Sequence, residues 1–315
     1  SHMKSTLAMN YRMLSSNLER ASNRLYDLRQ QAATGKQMNR PSDNPAGIRP
    51  VLDYRVKTQA AERSLNQMSM AQGEMEVLDS SLDQVENILV AAKETGIAAI
   101  SGAANEADRQ TYADKIGQLR DELLQAANTQ NGGKYMYAGY SESTVPFRVE
   151  IPDPADPDDW HVEYDGDGHA KTVDIGTGKQ VQVALPGNEL FLGDYDNDGT
   201  TDADGENLFA ALKDFEAAIR NNDEAAMNNG LETLEESADQ VRRLRGRMGN
   251  NAWRIERASE QLNGAAIEFE KILSSYEDAD ALEVFSQLVQ QETAFEAALN
   301  VTTRISKLSI LDFMR

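Results

Sequence analysis

Near the start of the chain apolar residues recur at alternating steps of four and three: Leu7, Tyr11, Leu14, Leu18, Ala21, Leu25, Leu28 and Ala32. That spacing lines one helix face with a coiled-coil seam and predicts a long helix. The stretch Thr34 to Gly47, TGKQMNRPSDNPAG, ends it. Gly35 suits a helix C-terminus, and Pro41 and Pro45 lack the amide proton that a helix interior needs. A second seam runs Met68, Ala71, Met75, Leu78, Leu82, Val85, Leu89, Ala92 and Ala99. A third, Tyr112, Ile116, Leu119, Leu123 and Ala126, follows a polar break at Ser101 to Asn105. These two predict an antiparallel helix pair.

Between residues 140 and 206 the period changes. Alternating runs such as Phe147 to Ile151, His161 to Tyr164 and Gln180 to Val183, set among Gly, Pro and Asp, read as strands and turns. Tyr164 to Gly168 reads as a hairpin turn. The helical period returns at Leu208, Leu212, Phe215 and Ile219. It then continues from Leu231 to Phe269 without proline, which predicts a helix of roughly 50 residues, about 75 Å long. Gly246, Gly249 and Gly264 weaken it by about 1 kcal/mol each against Ala and mark candidate kinks or close packing. The last seam is Val284, Leu288, Phe295, Ala298, Thr302 and Ile305, extended by Leu308 and Leu311.

The predicted fold is mainly α: an elongated rod of long coiled-coil-like helices, the N- and C-terminal halves packed together, with a small inserted β-rich outer domain. The expected division has five parts. Residues 1–47 are a terminal helix and connector, 48–139 the first half of the rod, and 140–206 the β module. Residues 207–278 are the second half of the rod, and 279–315 a second terminal helix. Neither terminal helix can bury its stripe alone, so both invite pairing with each other and with neighbouring copies. Leu7, Leu14, Leu18, Leu25, Phe295, Leu299, Ile305 and Leu308 are the candidate interface. Arg40 and Asp43 in the connector are further candidates for contact with a neighbouring subunit.

Composition narrows the function classes. The net charge of −21 opposes a general nucleic-acid binder, which needs clustered Lys and Arg. The charge is also segregated: residues 1–60 hold ten basic and four acidic side chains, residues 140–206 three basic and seventeen acidic. Without cysteine there is neither a disulfide framework nor a thiol nucleophile. No apolar run is long enough to span a membrane as a helix. Ser1-His2-Met3 reads as a remnant of cloning, and the segment behind it does not match a signal peptide.

Candidate chemistry is sparse. Asp194, Asp196, Asp198 and Asp202, with Gly199, sit at positions 1, 3, 5, 9 and 6 of a calcium loop, although Gly205 stands where a bidentate glutamate belongs. A solvated acidic turn is the plainer reading, and no other cofactor is expected. His161 and His169 accompany no hydrolase, metalloprotease or phosphate-loop motif, so no catalytic residues are assigned. His161, beside Trp160, reads as a strand surface residue. A hydrolase with paired carboxylates would need an enclosed acidic cleft. Arg242 and Arg245 share a helix side with Asp239, which favours ion pairing within the chain; a subunit contact is the alternative.

Four blocks in order resemble the flagellin-like family of the bacterial flagellum. The loop Thr34 to Ala46 is similar to that family's (S/T)GKR-hydrophobic-N-x-P-S-D-D-P-A motif, with Gln37 and Asn44 as departures. Asn131 to Tyr140 is similar to NGRYLFAG, and Arg245 to Asn250 to R-A-x-hydrophobic-G. Gln291 to Ala298 with Lys307 to Met314 is similar to QQTALQA and KISQLSLFDYL. Pro41, Pro45 and Leu311-Asp312-Phe313 favour the family's hook–filament junction subunits over flagellin itself; the terminal Arg315 leans the other way. The resemblance implies a non-enzymatic structural subunit exported unfolded by the flagellar type III system. Its implied partners are further copies in a ring, a hook-side junction protein, flagellin-side subunits, and an export chaperone on the C-terminal helix. Flagellin, and a calcium-dependent binding module carried on a helical rod, are the competing expectations.

Overall fold

The computed structural model describes residues 2–34, 45–176 and 178–314; the side chains of residues 2–8, 11, 34 and 45–47 and of several C-terminal positions, Ile305 among them, lie outside that description. The elements in chain order are α1 (His2–Thr34), α2 (Pro45–Ile100), α3 (Glu106–Ala127), β1 (Gln130–Asn131), β2 (Lys134–Tyr135), β3 (Phe147–Glu150), β4 (His161–Tyr164), β5 (Thr172–Gly176), β6 (Lys179–Gln182), α4 (Gly187–Leu192), α5 (Leu208–Arg220) and α6 (Glu224–Phe313). Among the described residues the fold is mainly α with three separate antiparallel strand pairs.

The helix boundaries follow local chemistry. Pro45 is the first residue of α2, where its missing amide proton costs nothing, so the connector ends sooner than Gly47. Asn105 and Asp108 close a reciprocal capping box at the start of α3: the Asp108 amide donates to Asn105 Oδ1 at 2.8 Å, and the Asn105 amide to Asp108 Oδ2 at 3.2 Å. The helix predicted from Leu208 is interrupted at Asn221 to Asp223. Asn222 takes a left-handed φ of 50° there, and Asp223 Oδ1 accepts from the Ala226 amide at 3.1 Å. Past that break α6 is continuous for 90 residues and absorbs the separately expected C-terminal helix. Gly246, Gly249 and Gly264 lie inside it with no heavy atom of another element near the place a Cβ would occupy, so close packing within the chain is not their reason.

The chain forms two compact units, residues 1–62 with 263–315, and residues 63–262. The second holds a large core that draws Met68, Leu82, Val85 and Leu89 from α2, Ile116 and Leu123 from α3, Phe209 and Phe215 from α5, and Leu234, Val241 and Ile255 from α6. Phe215 is wedged between two helices that leave it room only because they carry glycine: a Cβ on Gly96 of α2 or on Gly230 of α6 would overlap its ring. An aromatic group continues this core into the β region. Tyr137, Phe147, Phe191 and Phe209 have ring centroids 5.0 to 5.8 Å apart. Gly187 lies against it with no room for a side chain.

Tyr164 to Gly168 does not form a hairpin turn. β4 pairs with β3, and β5 with β6, so no ladder joins β4 to β5. The Asp and Gly signals there serve a pinned loop instead. The Asp167 carboxylate accepts from the backbone amides of Tyr140 and His169 and from the Ser141 hydroxyl, while Tyr164 Oη donates to the carbonyls of Tyr137 and Asp167. Burial opposes the charge on Asp167, yet these donors outweigh it and hold its pKa below the usual carboxylate value. The tight hairpin lies at Gly132 and Gly133, whose φ of 61° and 80° suit the two-residue turn between β1 and β2.

Candidate assembly faces and acidic loop

In the unit built from the chain ends, Leu25 and Leu28 of α1, Val51 and Ala61 of α2, and Ala266 and Val284 of α6 are buried. Arg29 pairs with Glu292 at 3.3 Å and Arg55 with Glu277 at 3.2 Å, while Tyr54 packs near Phe269 and Tyr276 with centroids 6.2 Å away. Leu14, Leu18 and Phe295 are half-buried, and Leu299 and Leu308 are exposed. Arg40 and Asp43 lie outside the described residues, as do the side chains of Leu7 and Ile305.

A second apolar stripe lies outside the predicted seam. Leu282, Phe285 and Val289 on α6 are 74 %, 60 % and 53 % exposed, and their steps of three and four put them on one helix face. Met9 and Met13 of α1, four apart, are likewise exposed. The missed signal was the full width of the apolar pattern. A seam reading picks the a and d positions, whereas here Leu282, Phe285 and Val289 add apolar positions beside the seam residues Val284 and Leu288, which is the composition of a helix with two faces to cover.

The arginine cluster of α6 is satisfied within the chain. Arg245 binds Asp79 at 2.8 and 3.2 Å, Asp83 at 3.0 Å and Glu86 at 3.3 Å. Arg242 binds Glu86 at 2.8 Å and Asp239 at 2.9 Å. Arg247 holds Glu189 at 2.8 Å. The hydrogen bond from Arg245 is the main reason the Asp79 pKa is lowered.

The four aspartates of the acidic loop come together, each offering an oxygen within 4.8 Å of the others. Asp194 is 2 % exposed and accepts from the amides of Asp198 at 3.2 Å and Gly199 at 2.9 Å. Burial raises its pKa despite the Gly199 amide, and hydrogen bonding with Asp196 and Asp198 adds to the rise. Asp198 goes down, chiefly through the Thr200 backbone amide. Asp202 accepts from the Tyr195 amide at 2.8 Å. The oxygen-only donor set is of the kind that calcium takes. Gln240 of α6, buried, anchors the segment that carries the loop: its Nε2 donates to the carbonyls of Leu190 and Glu206, and its Oε1 accepts from the Glu206 amide and the Tyr195 hydroxyl.

Comparison with known proteins places this architecture. Residues 5–142 match the family described as the bacterial flagellin N-terminal helical region. Over that stretch the chain is similar to flagellin-like proteins. It is 26 % identical to flagellar hook-associated protein 3 of Escherichia coli K12, over 91 % of this chain and 92 % of that one. With the Salmonella typhimurium LT2 protein of the same name the identity is 24 %, over 99 % of this chain and all of the relative. Among solved structures, a flagellar hook-associated protein of Vibrio parahaemolyticus superposes with a TM-score of 0.63 at 14 % identity, over 75 % of this chain and all of the other, a likeness of fold.

Proposed function

We propose that this chain is a structural subunit of the bacterial flagellum, the adapter that joins the hook to the flagellin filament by packing of subunit against subunit, with no catalytic role. The observation that carries the reading is the pair of terminal helices whose apolar residues remain uncovered: Leu282, Phe285, Val289, Leu299 and Leu308 on α6, Met9 and Met13 on α1. A soluble chain keeps such a surface when other copies cover it. The likeness to relatives named hook-associated protein 3, over 91 % and 99 % of this chain, supports the hook–filament junction as that assembly. In this reading the copies form a ring between a hook-side junction protein and flagellin. The subunit reaches the outside unfolded through the flagellar type III channel, with a chaperone on its C-terminal helix until then. Arg40 and Asp43 would set the contact with the neighbouring subunit.

Antibody labelling of flagella tests the position. Label confined to the distal end of the hook is expected; label along the whole filament would make the chain a flagellin instead. A double charge reversal at Arg40 and Asp43 is expected to leave monomer stability unchanged and to block incorporation.

A further inference from the structure

The polar face of the β3–β4 hairpin holds a nitrogen and two carboxylates in a chelating arrangement. Glu150 and His161 are direct cross-strand partners, and Glu163 stands two residues beyond His161, hence on the same face. His161 Nε2 lies 2.7 Å from Glu163 Oε1 and 3.9 Å from Glu150 Oε2, and the three ligand atoms all fall within 4.8 Å of one another. We propose that these residues bind a divalent transition metal, zinc being the best match, through His161 Nε2 and one oxygen each of Glu150 and Glu163, with water completing the shell.

Zinc takes nitrogen and oxygen ligands at about 2.0–2.2 Å, which separates neighbouring ligand atoms by roughly 3.5 Å around a tetrahedron. The observed separations bracket that value, so closing the site asks for side-chain rotation only. The backbone frame is fixed from the other side, where Phe147 and Val162 on the opposite face of the hairpin are buried in the core. All three side chains are 42–46 % exposed, leaving the metal a path in. Arg148 is the competitor: it holds Glu150 at 3.0 Å and Asp165 at 2.9 Å. It can keep Asp165 while Glu150 turns to the metal.

The imidazole decides the metal class. Nitrogen ligands favour zinc, copper or nickel, whereas calcium and magnesium favour all-oxygen sets such as the acidic loop. Glu150 ends β3 and His161 begins β4, so the ion would close the base of the Pro- and Asp-rich loop at 151–160 and reinforce a pair of strands that is marginal by itself.

Calorimetric titration of the full chain with zinc chloride at pH 7.5 tests this. One saturable site is expected, undisturbed by millimolar calcium, with a zinc-induced rise in Tm. His161→Ala and Glu163→Gln should each weaken zinc binding by about tenfold or more and abolish that rise, with the metal-free Tm unchanged. Glu163→Gln keeps the side-chain shape, so its loss of binding reads the ligand and not the fold. Asp194→Asn should leave zinc binding as it was. Absence of saturable zinc uptake, displacement of zinc by calcium, or uptake that survives His161→Ala and so belongs to His2, His169 or the acidic loop, would each overturn the proposal.

Discussion

A few residues carry more of this fold than their number suggests. Gln240 satisfies backbone groups on two segments at once, at Leu190 and Glu206. Gln240→Leu keeps the volume and removes those partners, leaving buried polar groups unpaired. A loss of about 2–3 kcal/mol is expected, read as a lower urea midpoint at constant slope. Glu206 has a pKa raised to about 7, by burial first and then by the hydrogen bond and charge of Glu236. Between the ordinary glutamate value and 7 the folded chain therefore binds a proton that the unfolded chain has released. The stabilisation from this group is complete below pH 4.5 and is lost as pH rises through 7. Glu206→Gln should flatten the fall in Tm between pH 5 and 7.5. An unchanged pH profile in that variant would show that the shared proton contributes nothing.

At the scale of elements, the glycines of the helices divide into two kinds that sequence spacing cannot separate. Gly96 and Gly230 face Phe215, so Gly96→Ala and Gly230→Ala are expected to lower stability by about 1–3 kcal/mol through overpacking. Gly246 and Gly249 face open space, and alanine there is expected to raise stability by about 1 kcal/mol each, measured by thermal melting. If those variants are more stable and yet fail to incorporate into flagella, the glycines serve a neighbouring subunit. The ion pairs joining α2 to α6 belong to this scale as well. Arg245 faces three acids contributed by one stripe of α2, and this network fixes which faces of the two helices meet more than it adds to stability, since its members are partly solvated.

For the whole molecule, the extensive core runs from Met68 to Ile255, wholly inside the unit of residues 63–262. A chain lacking residues 1–47 and 279–315 is therefore expected to stay folded, monomeric and soluble by size-exclusion chromatography and circular dichroism. It is also expected to fail to join hook to filament in cells lacking the full protein. Rescue of motility by the truncated chain would show that the exposed stripes of α1 and α6 are not the assembly surface.

How much of this was legible in the chain follows from range. Seams at alternating steps of three and four announced α1, α2, α3 and α6, because helix formation is governed by residues a turn away; Pro45, which reads as a helix breaker, instead opens α2. The gathering of Asp194, Asp196, Asp198 and Asp202 was also legible, since they are close in sequence. Strand pairing was not: Asp and Gly around residue 166 suit a hairpin turn or a pinned loop equally, and the choice fell to the hydrogen bonds of Asp167 and Tyr164 with a segment that precedes them by many residues. Nor could the sequence find Gln240, or join Glu150 to His161 across a loop. The sequence by itself determined the long helical seams and the family likeness, but not the break at Asn221 to Asp223 or the short α4. Only the tertiary structure decided which glycines are crowded, which carboxylates share a neighbourhood and which apolar stripes stay uncovered, because those depend on what packs across from a residue and not on what lies beside it in the chain.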